Sequence, residues 1–477
     1  MSTDTIDQEG TRRVEPPGSA RPVPHALVAR PADSERMDAV RDCWRALWCS
    51  RLLVWAAGVG TIVAFGYGPT RKAFNPPGLT RGFGWLGNLL AAPAARWDSV
   101  WYLVIAHDGY RPDLSFYTSP RTAFFPLYPL GLWATTSFGV PAILAGVLLS
   151  LAALALALYG IHRLTTLELA CGLRRGLAGG RAGEVPRLAV LLTAFAPMAF
   201  FFSAVYSESL YLALSVGLFL NARRGRWMWV GVLGALAGAT RSTGLVLALP
   251  AVIIYLYGPR EDRPPDRTLD RHPARHSRLP VPVRVRPRYR LRREALWLAL
   301  LPLGAVIYGA YLGLAGGDPL SPLSAQNVWG RHFAGPYVGV WDGLEAAIGG
   351  ARQLLSFQHH HLYFPVTGGS PFVAAGHNLM LFAFLLAAIP AIIGVLRRLP
   401  LAYGAYVIAA LALPLSDPVS SQPLMSLPRF LLVLFPLTIW LAIWLSEHPP
   451  ARRPTLALSG ALMAVFVAQF ATWHWVA

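Results

Sequence analysis

Long apolar runs decide what this chain can become. Residues 142–161, 188–204 and 297–315 carry no charge, and each is close to the length, about 20 residues, that a helix needs to cross the hydrocarbon of a bilayer. A water-soluble domain would carry about a quarter charged residues. This chain of 477 carries 14%, with 54% hydrophobic. The sequence therefore predicts an all-α polytopic membrane protein. A membrane β-barrel would need short alternating strands, a pattern the sequence lacks.

Spans are expected near residues 47–67, 141–163, 188–205, 208–222, 227–240, 244–257, 295–315, 377–396, 400–415, 430–446 and 455–473, about 11 in all. With the N-terminus inside, segments 163–187, 223–226, 258–293, 397–398 and 447–453 fall on the cytoplasmic side. Each is basic, as the positive-inside rule requires. Residues 124–140 are apolar enough to cross, but a crossing there would place the basic segment 163–187 outside. They are read instead as a re-entrant or interfacial helix, with Pro126 and Pro129 near its start.

That scheme leaves residues 69–140 as a first outer loop and 316–376 as a second. Residues 1–46 combine Pro, Arg and acids with no apolar core, and read as a disordered cytoplasmic tail rather than a cleavable signal. Residues 47–477 form the transmembrane domain. Within it, residues 258–294 hold 12 arginines and 7 prolines and read as an extended cytoplasmic linker on anionic headgroups.

The net charge of +18 invites a nucleic-acid partner, but no recognition motif accompanies it and none is expected. Cys43, Cys49 and Cys171 suggest neither a disulfide framework nor metal spacing. His359, His360 and His361 are adjacent and would need special backbone geometry to share an ion. No cofactor is expected, with a divalent metal held only as a remote option. One lysine, Lys72, stands against 41 arginines, a coding bias of GC-rich bacteria that suggests a bacterial plasma membrane.

The stretch RWDSVWYLVIAHDGY (96–110) sets an acid among aromatics in the first outer loop, where a polar acceptor and a lipid-anchored donor can meet. Asp98 is the leading catalytic candidate. Read without context, it is a solvated loop acid or a partner of Arg96 or Arg121. Asp108 is the second acid, or a turn residue before Gly109. His107 is an interfacial histidine or a contact to phosphate or sugar. Trp97 and Tyr110 are candidate sugar or acceptor contacts, and Arg96 and Arg121 candidate ligands of a lipid phosphate.

Glu208, in AVYSESLYLALS, lies at the outer end of an apolar run, where an ionised group in lipid costs about 2–4 kcal/mol. It is either paired or functional, or merely interfacial. Tyr206 and Ser207 can donate to sugar hydroxyls, although an aromatic belt explains Tyr206 equally well. Arg241 and Arg429 flank apolar segments and must face water or an anion. They are candidate donor-phosphate ligands, with pairing to Glu208 or Asp417 as the structural alternative. Gln326, Trp329, Arg331 and His332 in the second outer loop suit sugar or acceptor by composition alone.

Several of these motifs together resemble the PIG-V-like branch of the GT-C glycosyltransferases, the family of GPI mannosyltransferase II and its bacterial relatives. The matching residues are RWDSVWYLVIAHDGY (96–110), AFFPLYPL (123–130), AVYSESLYLALS (204–215), ATRSTGL (239–245) and PRFLLVLFPL (428–437), in the family's order. The resemblance implies a GT-C-like bundle whose large first extracytoplasmic loop carries interfacial helices. It also implies transfer of mannose from a polyprenyl-phosphate-mannose donor on the extracytoplasmic side, with Asp98 at the position of the family's loop acid. The acceptor does not carry over, and could be a glycolipid, a polysaccharide or a protein.

That chemistry suits the residues. Inverting transfer needs a general base for the acceptor hydroxyl and positive charge for the departing phosphate, which arginine's planar fork supplies. No nucleotide is required, in keeping with the lack of a phosphate-cradling glycine motif. Two other readings compete. A transporter or flippase of a lipid-linked sugar would use the same cationic groove without a base, though no internal repeat supports it. A cell-envelope scaffold subunit would dispense with the polar loop residues altogether.

Overall fold

A computed structural model describes residues 32–69, 73–80, 84–115, 119–170, 181–264, 287–356 and 370–477. Met1–Asp38 form one unit and Ala39–Ala477 another. The described part of the first unit is the beginning of α1 (Ala32–Phe65). Residues 32–46, expected within a disordered tail, are thus helical. No Pro or Gly interrupts the chain between Ala32 and Ala57, so a helix nucleated in the apolar part can run back without a breaker.

The chain continues through α2 (Pro77–Thr80), α3 (Gly84–Ala91), α4 (Ser99–Asp108), α5 (Leu127–Thr136), α6 (Ala142–Glu168), α7 (Val185–Ala194), α8 (Glu208–Arg223), α9 (Trp227–Gly238) and α10 (Ala248–Tyr257). It ends with α11 (Leu303–Leu314), α12 (Ser321–Ser324), α13 (Pro336–Ser356), α14 (Pro371–Arg398), α15 (Leu401–Ser416), α16 (Leu427–Leu432), α17 (Phe435–Glu447) and α18 (Pro449–Ala471). Among the described residues there is no strand, only an isolated bridge between Arg331 and Val419.

Four helices are long and apolar enough to cross a membrane: α1, α6, α14 and α18. A 3₁₀ turn at Arg293–Leu300 continues into α11 with a 41° bend, and the pair makes a fifth if it is one span. The helices are consistent with a multispan membrane protein; against the expectation of about 11 spans, with 208–222, 227–240 and 244–257 short, the described residues contain four or five helices of crossing length. Five further apolar helices are only 10–17 residues long, and proline marks most of the breaks. Pro197 follows α7, Pro302 sits at the bend before α11, and Pro436 opens α17 two residues after α16 stops. A proline has no N–H to donate and clashes with the preceding turn, so the ladder ends there.

The segment expected to span 188–205 shows how such a break is tolerated. α7 stops at Ala194, and a 3₁₀ turn (Ala199–Ser203) carries the chain on. The buried guanidinium of Arg51, on α1, donates to the carbonyls of Ala194 (3.0 Å) and Ala199 (2.7 Å) and to Ser203 Oγ (2.8 Å). Carbonyls released by a broken helix have no water to meet inside a membrane, so a buried cation takes them. Glycines of α6 let the next segment approach: a Cβ at Gly146 would come within 2.8 Å of Val205, just before α8, and one at Gly160 within 2.8 Å of Val216 on α8.

Within residues 124–140, read as a re-entrant or interfacial helix, lies α5 (Leu127–Thr136). α5 is ten residues, about 15 Å, half the hydrocarbon thickness, and its Leu127 N–H donates to Ala239 O at the end of α9. Residues 316–376 hold α12, the 21-residue α13 and the start of α14. α13 buries one small-residue face, Gly339, Gly343, Ala346, Ala347 and Gly350. A Cβ at Gly350 would meet the main chain of Ala375 on α14, and one at Gly339 the main chain of Leu415 on α15. The middle of the basic linker, residues 265–286, lies outside the described residues, as do His359, His360, His361 and Cys171.

Candidate active site

Two left-handed residues aim the central side chains. Trp97 has φ +58° and Ser426 φ +69°, a conformation that costs a non-glycine residue about 1–3 kcal/mol and gathers at functional sites. Trp97 delivers Asp98 to the N-cap of α4; Ser426 turns the chain into α16, whose first turns carry Arg429. The turn at 96–98 is pinned by Tyr206, whose hydroxyl accepts from Asp98 N–H (3.1 Å) and donates to Arg96 O (3.0 Å). Ser99 Oγ donates to the same carbonyl at 2.8 Å.

Around that turn runs a chain of alternating charge. Arg429 Nη1 donates to Asp98 Oδ2 at 2.7 Å. Its Nε lies 3.2 Å from Glu208 Oε1, which also accepts from Arg241 Nη1 at 2.7 Å. Side-chain exposure separates their roles: Asp98 keeps 20%, Arg241 14% and Arg429 11%, while Glu208 keeps 1%. Glu208 sits behind the two arginines, so the costly buried carboxylate is paired rather than lipid-facing. Its Oε2 is buried without a hydrogen bond. The Arg429 guanidinium also lies 5.6 Å from the Tyr206 ring and 5.8 Å from that of Trp475.

These groups face a cavity of about 290 Å³, near the lower end for small-molecule sites. Asp98, Arg241, Arg429, Trp97, Gln326, Trp329 and Arg331 line it. Arg331 donates to the main-chain oxygens of Asp417 (3.0 Å) and Met425 (3.3 Å). Burial pushes its guanidinium down to about 10, with Arg429 adding to the effect; it stays charged at neutral pH. Asp417 lies on the wall, but the acid that Arg241 and Arg429 share is Glu208.

Other expected site residues lie elsewhere. Arg96 is buried, donates to Ala471 O (3.2 Å) and Ala95 O (2.9 Å), and lies over the Trp473 ring at 4.8 Å. It fastens the end of α18 rather than lining the cavity, because the nearest unmet carbonyls are those of that helix terminus. Arg121 donates to Gly109 O (3.0 Å) and approaches Asp108 at 3.8 Å. His107 and Asp108 bond to each other at 2.6 Å. Asp108 ends the helix that Asp98 begins, about 15 Å away at 1.5 Å per residue, too far to serve one reacting carbon. Tyr110 donates to Phe124 O (2.7 Å), and Tyr206 stands behind the wall as the pin described above. His332 adds only a main-chain bond to Pro418 O at 3.4 Å.

The cavity also holds residues that the sequence did not single out. Tyr102 Oη meets Ser207 Oγ at 2.9 Å. Ser242 and Thr243 follow Arg241 directly, so their neighbour was the available signal. Phe430 follows Arg429 inside the motif PRFLLVLFPL, while Gln422 and Trp475 come from the far C-terminal part with no local pattern to mark them. Among the described residues no three His, Cys, Asp or Glu side chains converge as a metal site would.

Comparison with known proteins bears on part of this chain. Residues 65–255 match the family model described as Mannosyltransferase (PIG-V). The chain is 33% identical over 179 residues to GPI alpha-1,6-mannosyltransferase 2 of Rattus norvegicus, covering 36% of this chain and 34% of the relative. It is 34% identical over 162 residues to the protein of that name from Mus musculus, covering 32% and 29%. The similarity to the Cricetulus griseus protein is 32% over 194 residues, covering 36% and 34%. The matched part thus spans about a third of the length of these curated relatives. No solved structure matches the chain. Residues 65–255, which hold Asp98, Glu208 and Arg241, are thus similar to a PIG-V-like mannosyltransferase family.

Proposed function

We propose that the chain is an inverting glycosyltransferase that moves mannose from a polyprenyl-phosphate-mannose donor to an acceptor hydroxyl. The site would face the extracytoplasmic side of a bacterial plasma membrane, with the N-terminus in the cytoplasm. One observation carries the reading: an accessible carboxylate, Asp98, shares a small cavity with three arginines, Arg241, Arg331 and Arg429.

Arg429 takes Oδ2, so Oδ1 is the oxygen placed to accept a proton. As the acceptor oxygen forms its bond to C1 of the sugar, its proton passes to Asp98. The bond between C1 and the phosphate oxygen breaks on the opposite face, and polyprenyl phosphate leaves with the electron pair. The arginines meet the charge that grows on that oxygen, where fixed donors act most strongly because they need not reorganise. In this reading guanidinium groups, not a divalent ion, hold the phosphate. Aromatic walls at Trp97, Trp329 and Trp475 suit a sugar face and exclude water from the reacting bond.

The acceptor is a glycan-bearing molecule of the envelope. Protein in proteoliposomes is expected to transfer labelled mannose from polyprenyl-phosphate-mannose to an envelope extract, and Asp98→Asn to abolish transfer with expression intact. Movement of donor across the bilayer without any product would replace the enzyme with a carrier. Retained transfer in Asp98→Asn would move the base elsewhere.

A further inference from the structure

Arg429 touches the proposed base and the cavity at once. Its Nη1 donates to Asp98 Oδ2 at 2.7 Å, and its Nε lies 3.2 Å from Glu208 Oε1. The third nitrogen, Nη2, has no hydrogen-bond partner among the described residues, and it is not buried as Nε is. Arg429 lines the cavity with 11% of its side chain exposed, and Asp98 with 20%. Arg241, Arg331 and Asp417 are the other charged residues on that wall. Arg241 bonds Glu208 and Arg331 bonds main-chain oxygens, while Tyr206 meets Asp98 through its main-chain N–H. Among these groups Arg429 alone is hydrogen-bonded to the Asp98 carboxylate.

The transfer step redistributes charge around this guanidinium. The acceptor's proton passes to Asp98, and the bond from C1 to the phosphate oxygen breaks with its electron pair left on that oxygen. Asp98 goes from anionic to neutral as the phosphate goes from singly to doubly charged. A planar guanidinium fork is shaped to hold two oxyanions through different nitrogens. Its charge-assisted bond to Asp98, about twice as strong as a neutral one, weakens when the carboxylate is protonated. The same cation then answers the new charge on the phosphate more fully.

We propose that Arg429 is a shared counter-ion, handed from Asp98 to the departing phosphate as the proton moves, and that Asp98 thereby also sets product release. Polyprenyl phosphate is held while Asp98 is protonated and let go once Asp98 ionises again. Protonation of Asp98 and binding of a doubly charged phosphate must favour each other equally, because linkage between two binding events is reciprocal. This coupling rests on the glycosyl-transfer reading, but it is measurable as binding, without turnover.

Asp98→Asn keeps the shape of the protonated acid and removes its charge. The full chain in lipid nanodiscs would be titrated at about pH 8 with dodecyl phosphate, which carries about two charges there, and with the singly charged methyl dodecyl phosphate. Asp98→Asn is expected to bind dodecyl phosphate about tenfold more tightly than the parent, the scale of one charged hydrogen bond, and the methyl ester about threefold or less. Arg429→Lys keeps a charge without the fork, and in that background the gain from Asp98→Asn should fall below about threefold.

No binding of dodecyl phosphate, no gain, an equal gain for both probes, or a gain that survives in full in Arg429→Lys would overturn the hand-over. Should the lysine variant fail to fold, the comparison of the two probes decides alone. Loss of transfer in Asp98→Asn without any gain for dodecyl phosphate would keep the base and remove the coupling. The expected gain in a chain that transfers nothing from polyprenyl-phosphate-mannose would remove the enzyme reading and leave the coupling between Asp98 and phosphate standing.

Discussion

The two ends of α8 carry buried ion pairs built from the same residue types, yet one pair borders a cavity and the other is fully buried. Glu208 begins the helix and Arg223 closes it, about 22 Å apart at 1.5 Å per residue. Both suit the helix dipole, acid at the N-terminus and cation at the C-terminus. Arg223 bonds Glu168 of α6, and Tyr403 Oη donates to the same carboxylate at 2.7 Å. Exposure there is 0% and 2%, and one acid answers one guanidinium. Arg260 is fixed nearby in the chain after α10, with Trp227 at 4.6 Å and Tyr255 at 5.0 Å.

At the other end the same chemistry is left open. Glu208 shares one oxygen between two arginines and keeps the other unmet, Asp98 and both arginines reach the cavity, and Arg331 adds a third cation. The difference separates fastening from chemistry. A sealed pair locks helices together, and losing one partner strands a buried charge. An open cluster keeps its charges unbalanced until something enters, so its loss is felt in turnover.

The sharpest way to break that contrast is to remove one acid from each end. Asp98→Asn is expected to cut transfer by about 10²–10⁴-fold, the range for losing a positioned base. The thermal midpoint should stay near that of the parent, since Arg429 keeps Glu208. A large fall in midpoint would recast Asp98 as structural. Glu168→Gln should do the reverse, costing about 3–5 kcal/mol of stability by leaving Arg223 without its acid, while transfer per folded molecule holds. Thermal melts and active-fraction assays on the same preparations compare the two directly. If Glu168→Gln loses activity per folded molecule as fully as Asp98→Asn, the division between the two ends is wrong.

Glu208→Gln tests the middle of the comparison. It lies in the open cluster but is as buried as Glu168, so both readouts should move. Weakening the charged hydrogen bond from Arg241 and removing the ion pair with Arg429 costs about 1.5–3 kcal/mol, which corresponds to a transfer rate lower by about 10–150-fold. The midpoint should fall less than in Glu168→Gln, because water in the cavity can reach the freed arginines. A midpoint loss equal to that of Glu168→Gln would mean the cavity is dry.

Much of this contrast was legible in the sequence, and the illegible part has a common cause. The apolar runs announced α6 and α14 because twenty uncharged residues have few alternatives. Asp98 stood out as an acid among aromatics, and Arg241 and Arg429 as charges flanking apolar segments, where a free ion is costly. Their mutual pairing was open until α16 was seen beside α4, 331 residues away in sequence. Arg51 stood as a lone cation inside the first apolar run, but the carbonyls it caps belong to a helix 143 residues further on. Arg96 misled for the same reason: two positions from Asp98 in the chain, its partner carbonyl is at residue 471. Periodicity reads which face is apolar; it does not read which terminus will need a cation.

The smallest expected effect probes how finely the open end is set. Tyr206 lies behind the cavity wall, and its hydroxyl joins Asp98 N–H to Arg96 O. Tyr206→Phe keeps the ring under Arg429 and removes only those two neutral bonds, each worth about 0.5–1.5 kcal/mol net. If the hydroxyl holds the left-handed turn at Trp97 in place, Asp98 drifts and kcat falls by about 3–15-fold, with KM for the donor unchanged since no arginine moves. If the turn is held by Ser99 Oγ and the aromatic neighbours of Trp97 instead, kcat stays and only the melting midpoint drops. Steady-state kinetics with saturating donor distinguish the two, and the first outcome makes Tyr206 a positioning residue for the base.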